Sequence, residues 1–295
     1  MNSLRLAGEI EYLETGAGPT VVLAPGSCST GAAWRPVIAH LLNVRAVTTS
    51  LSGYGGTAER HTANDRSIMP VAEALEDVIR RADAPVHLVG HSFGGLAAVA
   101  VALRDRVSIL SLTVFEAPAP GALTKVADQP CLAAFHAMTD AYSAAHEAGD
   151  PEAIGAMIDF YGGTGSWAQM PEQVRAYAAA TTSVNIIDWE GAYGFTLDDT
   201  LRHLSGIPVC VAVGERSHPA VVRANALIAE RIKGARFVTV PGAAHFMTAT
   251  HPQATARLII EQVQSQSSQA KRGYPDIQEA VARTAWAAKR ITSEQ

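Results

Sequence analysis

Short, continuous runs of β-branched and apolar residues, far apart and separated by helical periodicities, restrict this 295-residue chain to one broad architecture. Residues 20–26 (TVVLAPG), 45–51 (RAVTTSL), 86–90 (VHLVG) and 108–115 (SILSLTVF) are apolar without alternation, as strands buried on both faces of a parallel sheet are. Between them, Val71, Ala74, Leu75, Val78 and Ile79 keep a 3.6-residue spacing, which predicts a helix from Ser67 to Ala82. Strands alternating with helices imply right-handed crossovers and a mostly parallel sheet. Ahead of them, residues 3–15 read as two short strands around the Ala7-Gly8 turn pair, with Ile10 and Tyr12 alternating against Glu9 and Glu11, a polar-faced edge hairpin.

The alternation breaks after Pro118. From there to about Ser205 the sequence carries helix signals and no convincing strand: Asp150-Pro151-Glu152 supplies a cap, a first-turn proline and a first-turn acid, and Pro171 opens a further helix. Gly162-Gly163-Thr164-Gly165 interrupts the chain between these two. Strand and helix resume with IPVCVAVG (207–214), a helix from Pro219 to Ile232, RFVTVPG (236–242) and a helix from Pro252 to Gln264. The expected organisation is therefore an α/β core of residues 1–117 and 206–264, a helical insertion over 118–205, and a tail over 265–295. That tail starts as a polar SQSSQ linker and ends in an amphipathic helix (Ile277, Val281, Thr284, Ala285, Ala288). It offers one surface for a homodimer.

Charge and cysteine usage exclude several function classes. With 23 Lys and Arg against 28 Asp and Glu and no basic block, the chain lacks the electrostatic footprint of a nucleic-acid binder. Three scattered cysteines, Cys28, Cys131 and Cys210, are too few for a disulfide framework or a zinc site and suit a cytoplasmic location. Glu9, Glu11 and Glu14 stand where a secretory signal needs an apolar run, and no apolar stretch approaches the length of a membrane span. No paired histidine spacing suggests a metal. Gly53-Tyr54-Gly55-Gly56-Thr57 lacks the lysine of a phosphate loop, so no cofactor is implied.

The sharpest chemical signal is Gly90-His91-Ser92-Phe93-Gly94-Gly95, between the strand VHLVG and a predicted helix. A serine on so tight a strand-to-helix turn is forced into strained torsions, and flanking glycines let neighbouring elements approach closely. Its hydroxyl then projects beyond the sheet edge, beside backbone N–H groups that favour developing negative charge. His91 is next to it in sequence but points away on such a turn, and is read as a packing or hydrogen-bonding residue.

In that context the chain resembles the α/β-hydrolase superfamily over about residues 3–264. Pro25-Gly26-Ser27 stands where relatives carry His-Gly-x, with proline replacing the histidine. Trp34-Arg35-Pro36 resembles the start of the helix after that loop. Leu51-Ser52-Gly53-Tyr54-Gly55-Gly56-Thr57 resembles the family's glycine-bearing loop without its leading aspartate, and Pro241-Gly242-Ala243-Ala244-His245-Phe246 resembles the segment holding the family's histidine. The resemblance implies a mostly parallel eight-stranded sheet flanked by helices, with a helical cap inserted after the sixth strand. It also implies Ser92 as nucleophile, His245 as its base, and an oxyanion hole of the Phe93 and Ser27 N–H groups. The acid is open. The strand reading VCVAVG continues Gly214-Glu215-Arg216-Ser217 with no aspartate, which leaves Glu116, at the end of the preceding strand as in some relatives, with Glu215 as the alternative.

Aromatic and methionine residues of the insertion favour a substrate with an apolar or aromatic portion, and Tyr161 and Trp167, flanking the glycine break, are the expected pocket walls. The function expected is serine-dependent hydrolysis of a small carboxylic ester or lactone through an acyl-enzyme. Two alternatives stand beside it: carbon–carbon bond hydrolysis of dienoic keto acids, which needs a pocket cation and has only Arg175 to offer, and a ligand receptor on the same fold.

Overall fold

A computed structural model describes residues 10–273, with side chains to Ser265. Seven strands form one sheet: β1 (Leu13–Gly16), β2 (Thr20–Ala24), β3 (Arg45–Thr48), β4 (Val86–His91), β5 (Ile109–Phe115), β6 (Val209–Gly214) and β7 (Arg236–Val240), in the spatial order β1-β3-β2-β4-β5-β6-β7. Only β1 runs antiparallel, against β3; every other pairing is parallel. The helices are α1 (Arg35–Ile38), α2 (Met69–Ala82), α3 (Phe93–Arg104), α4 (Gln129–Glu147), α5 (Ile154–Gly162), α6 (Ser166–Gln169), α7 (Glu172–Ala180), α8 (Thr182–Gly194), α9 (Pro219–Arg231), α10 (Met247–Thr250) and α11 (Pro252–Gly273).

The unbroken apolar runs behave as strands covered on both sides. Side chains alternate across the pleat, so Val22 and Ala24 join a core with α2, α3 and α9. Val21 and Leu23 join a second core with Trp34, Val37 and the α11 residues Leu258, Ile259 and Val263. α3 is buried from Phe93 through Val101 because it sits at the centre of one layer, which explains its lack of a polar face. α2 and α3 both end on left-handed aspartates, Asp83 and Asp105, residue types that tolerate that conformation.

Seven strands lie among the described residues, with the helical insertion after the fifth of these. The first half of the expected hairpin lies at residues 3–9, outside the described residues, while its second half is the edge strand β1, paired with β3. Asp150-Pro151-Glu152 forms a turn and α5 starts later, at Ile154; Asp150 Oδ1 accepts from Glu152 N at 2.9 Å, a local bond that stabilises a turn as readily as a cap. The SQSSQ segment does not break the chain: it continues α11 to Gly273, since serine and glutamine lower helix propensity only slightly. The tail helix expected over 277–288 lies outside the described residues.

Register brings the strand ends to one place. Gly90 pairs with Val114 and His91 with Phe115; Phe115 pairs with Ala212, and Gly214 with Val240. The chain therefore leaves β4, β5, β6 and β7 at one edge of the sheet. Between β5 and β6 lie α4 to α8, with no strand among them.

The β4–α3 turn tolerates no side chain at its second glycine: a Cβ on Gly94 would overlap Pro25 O and lie 2.7 Å from Ala24 O. Backbone cannot retreat from such a contact without disturbing β2. Gly94→Ala is expected to lower stability by about 3 kcal/mol, the upper end for overpacking, read as a shift in the denaturant midpoint. An unshifted midpoint would contradict this packing.

Candidate active site

Six residues other than glycine adopt positive φ among the described residues: Cys28, Asn43, Asp83, Ser92, Asp105 and Glu116. Asn43, Asp83 and Asp105 belong to the types that visit this region readily. Cys28, Ser92 and Glu116 do not, and all three lie at the edge where the strand ends meet. Each such torsion costs on the order of 1–3 kcal/mol, so backbone strain is concentrated here.

Ser92 sits at φ 53° and ψ −129°, between the last residue of β4 and the first of α3. Its N–H donates to Phe115 O at 2.8 Å, which holds the turn on β5, and its carbonyl accepts from Gly95 N at 2.8 Å. Phe93 opens α3, so its N–H has no partner within the helix. The Gly26-Ser27 backbone passes over the turn: a Cβ on Gly26 would stand 2.9 Å from Ser92 Cβ and 3.5 Å from its Oγ. Glycine is required there by that approach.

His245 follows β7 in the Pro241–Phe246 loop and is buried. Its Nε2 lies 3.0 Å from Ser92 Oγ and its Nδ1 3.2 Å from Glu116 Oε2. Glu116, fully buried at the end of β5, accepts through Oε1 from Gly214 N at 2.6 Å and from Ser217 Oγ at 2.5 Å. Three strand ends thus converge on one carboxylate. A hydroxyl, an imidazole and a carboxylate in this order can move a proton off the hydroxyl while the acid keeps the ring oriented. Glu215, the alternative acid, is exposed and accepts from Gly242 N at 2.7 Å; the structure does not bring it to His245. The VCVAVG strand end instead contributes the Gly214 N–H and the Ser217 hydroxyl that hold Glu116.

His91 donates from Nε2 to the carbonyl oxygen of His245 at 2.8 Å, which requires the proton on that nitrogen. Burial first, then the neighbouring His245 ring, push it down to about 3, so it stays neutral. Cys28 is pushed up to about 12, mainly by burial, and is therefore a thiol without nucleophilic character.

These groups face a cavity of about 830 Å³ roofed by α5, α7 and α8. Tyr161 lies with its ring centroid 4.1 Å from that of His245, tilted by 36°, and lines the cavity; its buried hydroxyl has no partner. Trp167 does not line it. Its indole lies against Gly155, where a Cβ would approach within 2.8 Å, and Arg175 sits 5.9 Å over its ring. The short helix α6, tied by Asp159 to the N–H groups of Gly165 and Trp167, turns the indole inward between helices. Trp189 of α8 is the tryptophan on the cavity wall.

Sequence reasoning passes over Asp188. Its Oδ2 accepts from Ser27 Oγ at 2.5 Å and from Tyr54 OH at 2.6 Å, while Oδ1 is buried without a partner. A signal is present: Asn185, Asp188, Trp189 and Ala192 form one buried stripe of α8, and a carboxylate on such a stripe is anomalous.

A family model described as the alpha/beta hydrolase family matches residues 21–258. The chain belongs to the alpha/beta hydrolase family. Its fold is that of the family, a mostly parallel sheet flanked by helices. The pimeloyl-[acyl-carrier protein] methyl ester esterase of Vibrio vulnificus is 33% identical over 116 residues, 38% of this chain and 43% of that protein. The chain thus matches less than half the length of this curated relative. Among solved structures, an alpha/beta hydrolase enzyme from a Medee basin deep-sea metagenome library superposes with a TM-score of 0.72 at 15% identity, covering 88% of this chain and 97% of the other. An esterase from Exiguobacterium antarcticum gives 0.68 at 16%, covering 86% and 96%. Among the described residues of this family member, no helix is long and apolar enough to cross a membrane, and no three metal-ligating side chains cluster.

The carboxyl of Asp188, ordinarily near 3.8, is raised to about 7. Burial is the largest cause; Ser27, Tyr54 and the nearby His61 pull it down, and Glu59 adds to the rise. Because the folded state holds this proton more tightly than the unfolded chain, the associated stability is complete below about pH 4 and is lost as pH rises through 7. Asp188→Asn cannot ionise. Relative to wild type it is expected to gain on the order of 4 kcal/mol of unfolding free energy between pH 4 and pH 8. Paired denaturant titrations at the two pH values measure this, and a difference independent of pH would refute it.

Proposed function

We propose that this protein is a serine hydrolase that cleaves a small, uncharged carboxylic ester or lactone with an apolar or aromatic portion. The observation that carries the reading is the hydrogen-bonded chain Glu116–His245–Ser92 opening on a cavity walled mainly by apolar side chains. The helical segment between β5 and β6 serves in this reading as a cap, and its α5, α7 and α8 form the roof over the nucleophile.

Ser92 Oγ attacks the substrate carbonyl as His245 Nε2 takes its proton. The Glu116 carboxylate accepts from Nδ1–H and favours the imidazolium that forms. The tetrahedral oxyanion is received by the N–H groups of Phe93, in the first turn of α3, and of Ser27; each such donor is typically worth about 3 kcal/mol in the transition state. Proline at position 25 is compatible with this, because it removes only its own N–H, two residues before Ser27. Collapse of the intermediate sends the proton from Nε2 to the leaving alkoxide. Water then repeats the attack on the acyl-enzyme, with His245 again as base, and releases the acid.

Charge in the cavity favours this substrate class over a keto acid. No lysine or arginine lines it among the described residues, and Asp188 adds negative charge where it is ionised, above about pH 7. Arg175 stands 3.8 Å from Glu152 and over Trp167, away from the cavity. A substrate carboxylate would enter without a counter-ion, at a large desolvation penalty. The methyl ester named for the Vibrio relative is compatible with ester chemistry in this site.

Hydrolysis of p-nitrophenyl esters with neutral acyl chains tests the reading. Ser92→Ala is expected to abolish turnover and Glu116→Gln to lower kcat by about 10³- to 10⁴-fold, since the ring loses its orienting acceptor. Glu215→Gln should stay within about twofold of wild type. Turnover that survives in Ser92→Ala, or a larger loss in Glu215→Gln than in Glu116→Gln, would overturn the assignment. Binding of esters without turnover by the wild type would favour the receptor alternative.

A further inference from the structure

We propose that Asp188 is a positioning residue. From α8, its carboxylate holds the Gly26-Ser27 turn in place, so that the Ser27 N–H meets the oxyanion as it develops. This rests on the serine-hydrolase reading above.

Three observations combine. The turn needs an external hold: it follows β2 without regular structure, Cys28 is strained at φ 56°, and Gly26 must stay within contact distance of Ser92. Within the loop, Ser29 Oγ donates to Gly26 O at 2.8 Å, and the side chain of Ser27 reaches out to Asp188 Oδ2 at 2.5 Å. The same oxygen accepts from the fully buried Tyr54, on the glycine-bearing loop after β3, at 2.6 Å. One atom of the helical segment is therefore shared by two loops of the sheet edge.

The arrangement is a poor device for stability alone. Asp188 is 2% exposed, its second oxygen is buried without a partner, and burial raises its pKa. A buried carboxylate so placed costs the fold more than a neutral side chain of the same shape. What it supplies is direction. An acceptor fixed on a helix defines where the Ser27 hydroxyl sits, and through it the backbone amide of the same residue. Asp188 lines the same cavity as Ser27 and Ser92 and touches no reacting atom in the proposed mechanism.

The test is phosphonylation by a neutral alkyl fluorophosphonate. Ser92 Oγ forms the bond to phosphorus as the P–F bond breaks, fluoride leaves, the hydroxyl proton passes to His245 Nε2, and the phosphoryl oxygen takes the oxyanion position. Labelling rates by intact mass, with kcat and KM on a p-nitrophenyl ester, are compared for wild type, Ser92→Ala, Asp188→Asn, Asp188→Ala, Ser27→Ala and the Asp188→Ala/Ser27→Ala double variant. Asp188→Ala and Ser27→Ala should each slow labelling and kcat about 10- to 100-fold, with KM within about threefold, because each loses part of one donor. The double variant should be no slower than the slower single one, since both act through one hydrogen bond. Asp188→Asn keeps an amide oxygen that can still accept from Ser27, and should label at a rate between those of Asp188→Ala and wild type at pH 8, with a thermal midpoint at or above wild type; a sound fold with a slower reaction separates positioning from structural support.

Labelling of Asp188→Asn and Asp188→Ala at the wild-type rate, multiplicative losses in the double variant, or an effect confined to KM would overturn the proposal. A wild type that is not labelled, or Ser92→Ala labelled as fast as wild type, would overturn the serine-hydrolase reading beneath it.

Discussion

The buried carboxylate of Glu116 is the contact on which the sheet edge depends. A fully buried acid must have its oxygens satisfied or lose its charge. Here Gly214 N–H and the Ser217 hydroxyl take one oxygen and His245 the other, so β5, the β6 exit and the loop after β7 meet at one group. The Glu116 N–H also donates to Ala212 O at 3.0 Å, which seats the residue on β6 despite its positive φ. Ser92 joins from the other side through its N–H bond to Phe115 O, one residue before Glu116. The spacing between proposed nucleophile, base and acid is thus a consequence of parallel register, and the strained backbone at Ser92 and Glu116 is held by the ladder on either side.

How much of this is legible in the sequence depends on where each interaction is encoded. The apolar runs are local and fix both strand identity and two-sided burial, so the order of strands and helices can be read directly. Ser92 and His245 can also be read, because a strained turn and a glycine-rich strand exit leave marks on neighbouring residues. Glu116 and Glu215 cannot be separated. Both end strands, and what distinguishes them is the partner across the sheet: the Ser217 hydroxyl faces Glu116, whereas Glu215 turns outward to Gly242. Trp167 misleads for a related reason. Its position beside the glycine break is local, but the direction of its ring is set by α6 folding back on Gly155. The SQSSQ stretch reads as a linker from its polarity, whereas helix α11 continues through it on the strength of the packed turns before it.

Asp188 shows the same limit from the opposite direction. The α8 stripe marks it as inward-facing, but its partners lie 161 and 134 residues away, and no local pattern names them. Such long-range polar contacts inside a largely apolar cavity are costly, and each can be justified only by what it positions. The helical segment contributes a second contact of the kind: Tyr177 OH accepts from Gly55 N at 2.8 Å, so α7 holds the glycine-bearing loop that presents Tyr54.

A proposed cap tied in this way cannot be thought of as a passive roof. If α8 moves away from the sheet, Asp188 leaves Ser27 and Tyr54 together, and the Gly26-Ser27 turn loses the acceptor outside its own loop. Closure over a substrate would then coincide with completion of the oxyanion site, because the residue that seals the cavity wall is also the one that orients the turn. In the family fold the sheet can supply a nucleophile, a base and an acid by register alone. The proposed second oxyanion donor, the Ser27 N–H, belongs to a loop, and loops need an outside hold. Here that hold is one carboxylate oxygen on α8, so the electrostatic half of the proposed chemistry depends on the inserted segment while the proton-transfer half depends on the sheet.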